Sequence, residues 1–276
     1  MPWHARLRLD YSREGGRTVA RHAHEGPLRI LQTLYPEGDA IAHNVLVHPP
    51  SGLVGGDTLD IAVHVREGSH GFVTTPGAAR FYRSEGEPAM QRAHLRLDTG
   101  ARLEWLPLEA LAYSGCIAEN RIELDLAPGA EMMGWDIAAL GLPAAEQPFK
   151  QGLLLQHLEL EGQWLERGRI DANDARLMDG PLGLAGRRCL ATLFFASGSD
   201  IADARREQAL ELANEALAAC DAVVSAGATA PGPRVIVVRV LADVVEPAMN
   251  LLKAIHAAWR PALWDQPAIA SRLWAL

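Results

Sequence analysis

The pattern that governs this chain is clearest in one stretch, Leu59-Asp60-Ile61-Ala62-Val63-His64-Val65-Arg66-Glu67-Gly68. Apolar and polar side chains alternate over its first eight residues, and a glycine turn follows. A period of two is typical of a strand with one buried face. The same alternation occurs over residues 95–97 and 122–126. These stretches predict that the first two thirds of the chain are rich in β-structure.

Glycines that close an apolar run recur along this region at positions 38, 68, 100, 129 and 162. The steps between them are 30, 32, 29 and 33 residues. Around three of them the order is the same: an alternating strand, glycine with a small residue, then a second apolar stretch. A repeat of this length predicts stacked β-units, as in a solenoid or β-helix. A plain succession of hairpins in a β-sandwich is the alternative.

The composition changes near residue 199. Residues 201–219 contain no glycine or proline and place apolar side chains near one face, which predicts a helix with Asp200 as its N-cap. Residues 235–241 are the strongest candidate for a buried strand. Glu246-Pro247 opens a second predicted helix, and Pro261 is expected to stop it.

Residues 265–267 predict the start of a short last helix. The expected fold is therefore mainly β, a β-helical stack with two or three helices in the C-terminal third. We expect a single domain over residues 1–276, β-rich over 1–198 and helix-containing over 199–276, because no linker-like segment separates the two parts.

Charge and composition exclude several classes of protein. Lys plus Arg is 26 and Asp plus Glu is 34, so the formal charge is −8, which argues against a general nucleic-acid-binding protein. The sequence contains no run of about 18 apolar residues, so we expect no membrane span. The first residues lack an apolar signal core. The three cysteines, Cys116, Cys189 and Cys220, are far apart and predict reduced thiols in a cytoplasmic protein.

Motifs for catalysis or stable metal binding are missing from the sequence. Lys150 and Lys253 are the only lysines, and neither belongs to a phosphate-binding Gly-Lys-Ser/Thr loop. Neither a nucleophile elbow nor a His-Glu-x-x-His or Cys-x-x-Cys motif occurs. His22 and His24 would share one face of a strand, either as a metal-binding pair or as two solvated histidines.

Three segments are unusual for a plain scaffold: residues 48–57, 74–84 and 104–110. The first combines two prolines with three glycines, and the second places small residues before Arg80 and Arg83. Each is explained either by a structural turn or edge strand, or by a function. Glu109 lies among apolar residues in the third, and burying a carboxylate is costly unless it is paired. We expect Glu109 to be exposed or to pair with one of these arginines.

In this order, the three segments resemble the UreD/UreH family of urease accessory proteins. The resemblance is carried by HPPSGLVGGD (48–57), TTPGAARFYRS (74–84) and WLPLE (105–109). It continues at Gly115, 129–130, 135–136, 140–141 and 186–195, and covers roughly residues 5–260. The chain departs from the family at Leu108, where glutamine is common, and at Leu142, where arginine is common.

The resemblance implies a non-enzymatic maturation factor with a β-helical fold and a few helices. Such proteins bind a helical partner of the UreF type, which in turn holds a GTPase of the UreG type. The complex docks on apo-urease and helps to deliver Ni²⁺, for which an internal channel has been proposed. The implied cofactor content is therefore none tightly bound, with Ni²⁺ handled transiently, and neither nucleic acid nor a membrane is an expected partner.

The matched segments and the predicted C-terminal helices supply candidate site residues. The candidate channel carboxylates are Asp57, Glu109 and Asp136, each of which could instead satisfy a buried backbone turn. The candidate motif or partner residues are Gly55, Gly56, Arg80, Tyr82, Arg83, Trp259 and Trp264. Tryptophans are common among interface hot spots, and core packing is the alternative for them and for Trp274.

Two other functions stay open. One is a β-helical enzyme acting on carbohydrate, with the three candidate carboxylates as acid and base. Aromatic residues make up only 6% of the chain, which leaves few platforms for stacking against sugars. The other is a binding module for an unknown partner.

Overall fold

A computed structural model describes residues 2–220 and 225–275. It is mainly β, with 50% strand and 17% helix. The strands are β1 (His4–Glu14), β2 (Arg17–Glu25), β3 (Arg29–Leu34), β4 (Ile41–Val47), β5 (Thr58–Val65), β6 (His70–Thr74), β7 (Ala79–Phe81), β8 (Ala89–Leu97), β9 (Arg102–Leu106), β10 (Ala110–Ala112), β11 (Cys116–Leu126), β12 (Glu131–Leu142), β13 (Gln147–Pro148), β14 (Gly152–Leu160), β15 (Trp164–Asp171), β16 (Cys189–Ser197), β17 (Ser225–Gly232) and β18 (Val235–Ala242). The helices are α1 (Ala175–Asp179), α2 (Asp203–Ala218) and α3 (Val245–Trp264), with short 3₁₀ turns at Pro143–Ala145 and Arg272–Ala275.

The strands coil into a β-solenoid of about 4 turns. An outer sheet of seven strands has the order β15-β14-β11-β8-β5-β1-β2, and its run from β1 to β14 is parallel. A central sheet has the order β17-β18-β16-β12-β9-β6-β4-β3, with β4, β6, β9 and β12 parallel. The chain passes from the outer to the central sheet and back in each turn, so the prediction of stacked β-units is confirmed and the sandwich of hairpins is wrong.

The glycine recurrence marks one corner of the solenoid. The turns at Gly68, Gly100 and Gly129 connect β5 to β6, β8 to β9 and β11 to β12. Their φ angles are +65°, +66° and +76°, in the left-handed region that glycine enters without a steric penalty. Gly38 and Gly162 instead lie in connections between antiparallel strands, β3–β4 and β14–β15. The recurrence therefore holds for three of the five glycines.

Two hydrophobic cores lie on opposite faces of the central sheet. The first fills the solenoid between the sheets and takes every second residue of β5: Leu59, Ile61, Val63 and Val65. The second lies between the central sheet and helices α2 and α3, and it contains Trp135, Leu252 and Trp259. The molecule thus has three layers, outer sheet, central sheet and helices.

Helix α2 begins two residues later than predicted and is not capped by Asp200. Its N-cap is Ala202, which makes no side-chain cap hydrogen bond. Asp200 instead accepts a hydrogen bond of 2.8 Å from Arg234 Nε. The capping prediction was wrong because this ion pair takes the carboxylate away from the helix terminus.

Helix α3 opens as predicted, with Pro247 in its first turn, but it continues through Pro261 to Trp264. The prediction that Pro261 stops the helix was wrong. The strand predicted over 235–241 is β18, and the predicted short last helix is a 3₁₀ turn at Arg272–Ala275. The long helices α2 and α3 lie after residue 198 together with β17 and β18, and the short helix α1 lies before it. None of the described helices combines the length and apolarity needed to span a membrane.

A buried carboxylate, Glu104, joins helix α3 to the central sheet. Its Oε1 accepts from His70 Nε2 at 3.0 Å and its Oε2 from His256 Nε2 at 2.6 Å, while Arg260 Nε lies 3.2 Å from Oε2. Burial raises the pKa of Glu104, but the hydrogen bonds from His256 and His70 outweigh it and hold the pKa well below its usual value. The charged form of Glu104 is therefore part of the folded state.

Arg260 extends this network to strand β4. Its Nη2 donates to Glu37 Oε2 at 2.8 Å, and Glu37 Oε1 accepts from His43 Nε2 at the same distance. Arg260 is fully buried, so its charge depends on these carboxylates. The network fixes where α3 lies on the solenoid.

Candidate functional site

The first and second unusual segments meet on a third, short side of the solenoid. Leu53 N donates to Arg80 O at 2.7 Å, and Tyr82 N donates to Leu53 O at 2.9 Å. The Tyr82 ring packs on Tyr113 with 4.9 Å between centroids, and a Cβ at Gly52 would overlap it. Tyr82 is therefore held in place by its neighbours on both sides.

The second and third segments also join. Ala79 N donates to Glu109 O at 2.9 Å, and Leu108 N donates to Thr75 Oγ1 at 2.9 Å. Segments that are separated in sequence thus form one continuous patch of backbone. This is the region that we treat as the candidate site.

A cavity of 270 Å³ opens beside this patch. Its lining includes His48, Arg80 and Gln91. His48 Nε2 and Arg80 Nε are both buried and have no hydrogen-bond partner among the described residues. Burial lowers the pKa of His48, against the opposing charge of Asp57, so the imidazole favours its neutral form. A neutral imidazole with a free nitrogen is a common metal ligand.

Asp57 has a structural role beside this cavity. It is 2% exposed, and its Oδ1 and Oδ2 accept from the backbone N–H groups of Trp3 at 3.1 Å and Val54 at 3.0 Å. The carboxylate therefore closes the turn at the end of the first segment, one of the two roles expected for it. Its assignment to a nickel route stays a prediction.

The glycines before Asp57 allow close approach of the second segment. A Cβ at Gly55 would overlap Ser84, and Gly56 adopts φ +89° next to Pro2. Any larger side chain at either position would push these loops apart.

A row of polar side chains runs through the interior of the solenoid. Gln91, Asn120 and Gln156 lie side by side on β8, β11 and β14 of the outer sheet. Gln91 Nε2 donates to Asn120 Oδ1 at 3.2 Å, and Asn120 Nδ2 donates to Asp136 Oδ1 at 2.7 Å. Gln156 Nε2 donates to the other oxygen, Asp136 Oδ2. Asp136 on β12 is thus held by amides from the opposite sheet.

The environment of Asp136 sets its charge. It is 5% exposed, and burial raises its pKa to about 6 although the hydrogen bonds from Gln156 and Asn120 act against this. The carboxyl group therefore exchanges its proton close to neutral pH. Such a group accepts a cation in its ionised form and releases it on protonation.

A smaller cavity of 40 Å³ connects Asp136 with the region of the larger one. It is lined by Gln91, Asn120 and Asp136, together with Trp105. The two cavities share four lining residues, Leu46, Thr75, Ala79 and Gln91. The interior polar row and the site patch therefore adjoin each other.

Other candidate residues lie apart from this row. Glu109 is half-buried, and no ion pair within 4.0 Å joins it to Arg80 or Arg83 in the described part of the chain, so the expected pairing is wrong. Arg83 is exposed and packs beside Gly115. Neither Asp57 nor Glu109 lines the cavity that contains Asp136.

The tryptophans proposed as partner anchors are buried. Trp259 is 0% exposed, Trp264 is 3% and Trp274 is 8%. All three belong to the core beneath the helices, and Trp259 Nε1 donates to Ala209 O at 2.9 Å. Core packing is the role that the structure gives them, so they present no surface to a partner in this state.

One group of possible metal ligands lies on the outward face of the outer sheet. Ligand atoms of Glu123, His157 and Glu159 lie within 4.8 Å of one another. Arg121 already pairs with Glu123 at 2.7 Å, and His157 pairs with Glu159 at the same distance. His22 and His24 stack with 6.2 Å between ring centroids on exposed strand β2.

Sequence reasoning missed His48, Gln91, Asn120 and Gln156 as site residues. The signal for two of them was present, because Asn120 and Gln156 occupy inward positions in strands whose other inward residues are apolar. A polar residue at such a position needs a buried partner. The sequence could not show that the partner is Asp136.

Comparisons with known proteins identify the family of this chain. The family model described as UreD urease accessory protein matches residues 4–275. A urease accessory protein UreD from Variovorax paradoxus (strain S110) is 63% identical over 275 residues, covering 100% of both chains. The corresponding protein of Polaromonas sp. (strain JS666 / ATCC BAA-500) is 60% identical, and the match covers 100% of both chains. That of Methylibium petroleiphilum is 48% identical, and the match covers 94% of this chain and 92% of the relative. The chain belongs to the UreD family of urease accessory proteins.

Proposed function

We propose that this protein is a non-enzymatic scaffold in urease maturation that assists the delivery of Ni²⁺ to apo-urease through its interior. Its family membership supports a role in urease maturation. The resemblance described above supports the finer roles, a link between apo-urease and partners of the UreF and UreG types. GTP hydrolysis is assigned to the UreG-type partner, since this sequence has no phosphate-binding loop.

The observation that supports nickel transit is the buried polar row that ends at Asp136. Ni²⁺ binds imidazole, carboxylate and other oxygen ligands, and His48, Gln91, Asn120 and Asp136 supply these along the two adjoining cavities. The ligands are spread out rather than gathered. A conduit needs such an arrangement, because a closed site with several strong ligands would retain the ion.

Asp136 would bind the nickel ion transiently inside the solenoid. Its carboxylate attracts a cation when ionised, and a proton can replace the ion because the pKa is about 6. His48 would receive the ion at the larger cavity through its unpartnered Nε2. The ion is cargo in this scheme, and its hold at each position is transient.

Other residues bear on the location of the protein in the cell and on the carbohydrate-active alternative. We place the protein in the cytoplasm, which agrees with its three free cysteines. A glycosidase needs two carboxyl groups facing one substrate, and Asp57 uses both oxygens to hold backbone N–H groups. No observation favours the carbohydrate-active alternative.

Complementation tests the proposal. Cells that carry the cognate urease operon without this gene would receive the wild-type chain, Asp136→Asn or the exposed control Asp125→Asn, and urease activity would be assayed in lysate with added nickel. We expect wild type and the control to restore activity and Asp136→Asn to restore at most about a tenth, the effect of losing one charged contact. No restoration by a soluble wild-type chain would refute the maturation role. Full restoration by Asp136→Asn would refute only the nickel route.

A further inference from the structure

The corner marked by the recurring glycines carries a ladder of charged residues. His70, Arg102 and Glu131 each lie two residues after a corner glycine and are neighbours on β6, β9 and β12. The ladder faces helices α2 and α3, because Glu131 accepts hydrogen bonds from Arg205 of α2 and from Trp264 of α3. The strand register thus brings together polar side chains that are about thirty residues apart.

A cavity of 480 Å³ lies over this ladder. Three of its lining residues are arginines, Arg13, Arg102 and Arg205, while Glu131 is its only lining carboxylate among the described residues. Arg205 grips Glu131 through both carboxylate oxygens, and Trp264 Nε1 also donates to Glu131 at 2.8 Å. The carboxylate is therefore already satisfied and leaves an excess of positive charge in a chain whose formal charge is −8.

Arg102 is the arginine of this cavity whose guanidinium has hydrogen-bond donors left for a ligand. It is half-buried, lies 5.5 Å from the Trp264 ring centroid, and makes one long hydrogen bond of 3.4 Å to Trp264 O. No carboxylate lies within 4.0 Å of it in residues 2–220 and 225–275. Burial and the nearby Arg205 lower its pKa, although Glu131 opposes them. A bound anion would relieve this unfavourable charge.

The remaining wall adds hydrogen-bond donors. Gly68 and Gly100 line the cavity, and their backbone N–H groups donate to no acceptor within the described residues. Arg13 is exposed at the rim and makes one contact of 3.5 Å with Gly68 O. Guanidinium groups bind planar or tetrahedral oxyanions through paired N–H donors.

We propose that this cavity binds a small oxyanion, a phosphate or a carboxylate, with Arg102 as the principal ligand and Arg13 as a second cation. The site is separate from the interior polar row and does not depend on the nickel role. A free anion and the carboxylate of an acidic side chain share this chemistry, so inorganic phosphate and acetate serve as the two probes.

The test follows the arginine Nε–Hε signals of the full chain by NMR during titration with each probe at constant ionic strength. We expect saturable shifts at Arg102 and Arg13 with at least one probe. Arg102→Gln should weaken the binding reported by Arg13 about tenfold, as expected for the loss of a charge-assisted pair of hydrogen bonds. Arg102→Lys keeps the positive charge but lacks the paired N–H donors of the guanidinium, so its affinity for the anion should lie between those of wild type and Arg102→Gln.

Arg8→Gln is the matched control, because Arg8 is exposed and does not line the cavity. It should leave the affinity unchanged. Arg13→Gln, at an exposed position, provides a second test if Arg102→Gln fails to fold, and should weaken binding several-fold. Saturation with phosphate alone would identify a free inorganic anion, and saturation with acetate alone a carboxylate. Shifts that never saturate, or that are equal in wild type and Arg13→Gln, would overturn the proposal.

Discussion

Single buried carboxylates differ in what they do for this protein, and Asp136 and Glu104 lie at opposite extremes. Asp136 is surrounded by neutral amides, so burial dominates and its pKa rises to about 6. Glu104 is surrounded by histidines and an arginine, so its pKa falls despite burial. Asp136 therefore weakens the fold when ionised, whereas Glu104 strengthens it when ionised.

The pH dependence of stability should reveal Asp136. Because its folded pKa is raised above the usual 3.8, its contribution to stability is fully present below that value and is lost as the pH rises through about 6. The shift corresponds to about 3 kcal/mol. In urea denaturation at several pH values, the free energy of unfolding of Asp136→Asn relative to that of wild type should rise by about this amount between pH 4 and pH 7. A difference that stays constant with pH would contradict the raised pKa.

Removing the charge of Glu104 should have the opposite effect. Glu104→Gln leaves Arg260 and two buried histidines with a weaker acceptor, so we expect a loss of about 3 kcal/mol at neutral pH. The loss should shrink as the pH falls below the usual glutamate pKa, because wild type then loses the same contribution. Glu207→Gln, at an exposed position of α2, is the control and should cost less than about 0.5 kcal/mol. Equal stability of the two variants would contradict a stabilising role for the buried Glu104 network.

Elements of this fold are set by alternation and by glycine geometry. Alternating strands and corner glycines could be read from the sequence because each is a local property, as Leu59 to Val65 and Gly68 illustrate. The extension of α3 through Pro261 could not, since burial of Leu263 and Trp264 against the sheet outweighs the local cost of proline. The polar row was also hidden, because Gln91, Asn120 and Gln156 become neighbours only through strand register.

Gly141 tests the glycine argument at the end of β12. It has φ +75°, and a Cβ would lie 2.5 Å from Phe149 N. Gly141→Ala should therefore cost about 2 kcal/mol or more through left-handed strain and the clash with backbone. Gly168 lies in β15 without a positive φ, and a Cβ at this position would meet no atom within 4 Å, so Gly168→Ala should be neutral or slightly stabilising. Urea midpoints compare the two, and similar losses in both would contradict the account.

The whole molecule assigns separate tasks to its layers. The outer and central sheets enclose the polar row, while the Glu104 network holds helix α3 on the other face of the central sheet. A change that closes the interior at the junction of the two cavities should therefore stop nickel transit without touching the helices or any proposed ligand. Ala79 is suited to this purpose, since it lines both cavities.

The most direct test of the central claim is the nickel content of urease purified from cells that carry Ala79→Met in place of the wild-type chain. Ala62→Met is the matched control, because Ala62 is exposed on the outward face of β5. Overpacking at Ala79 should cost about 1–3 kcal/mol, so the folded fraction of each variant is measured alongside. We predict that urease from Ala79→Met cells holds less than about a tenth of the wild-type nickel, as for a tenfold loss of transit, and that the control matches wild type. A folded Ala79→Met chain that yields urease with full nickel would contradict an interior route.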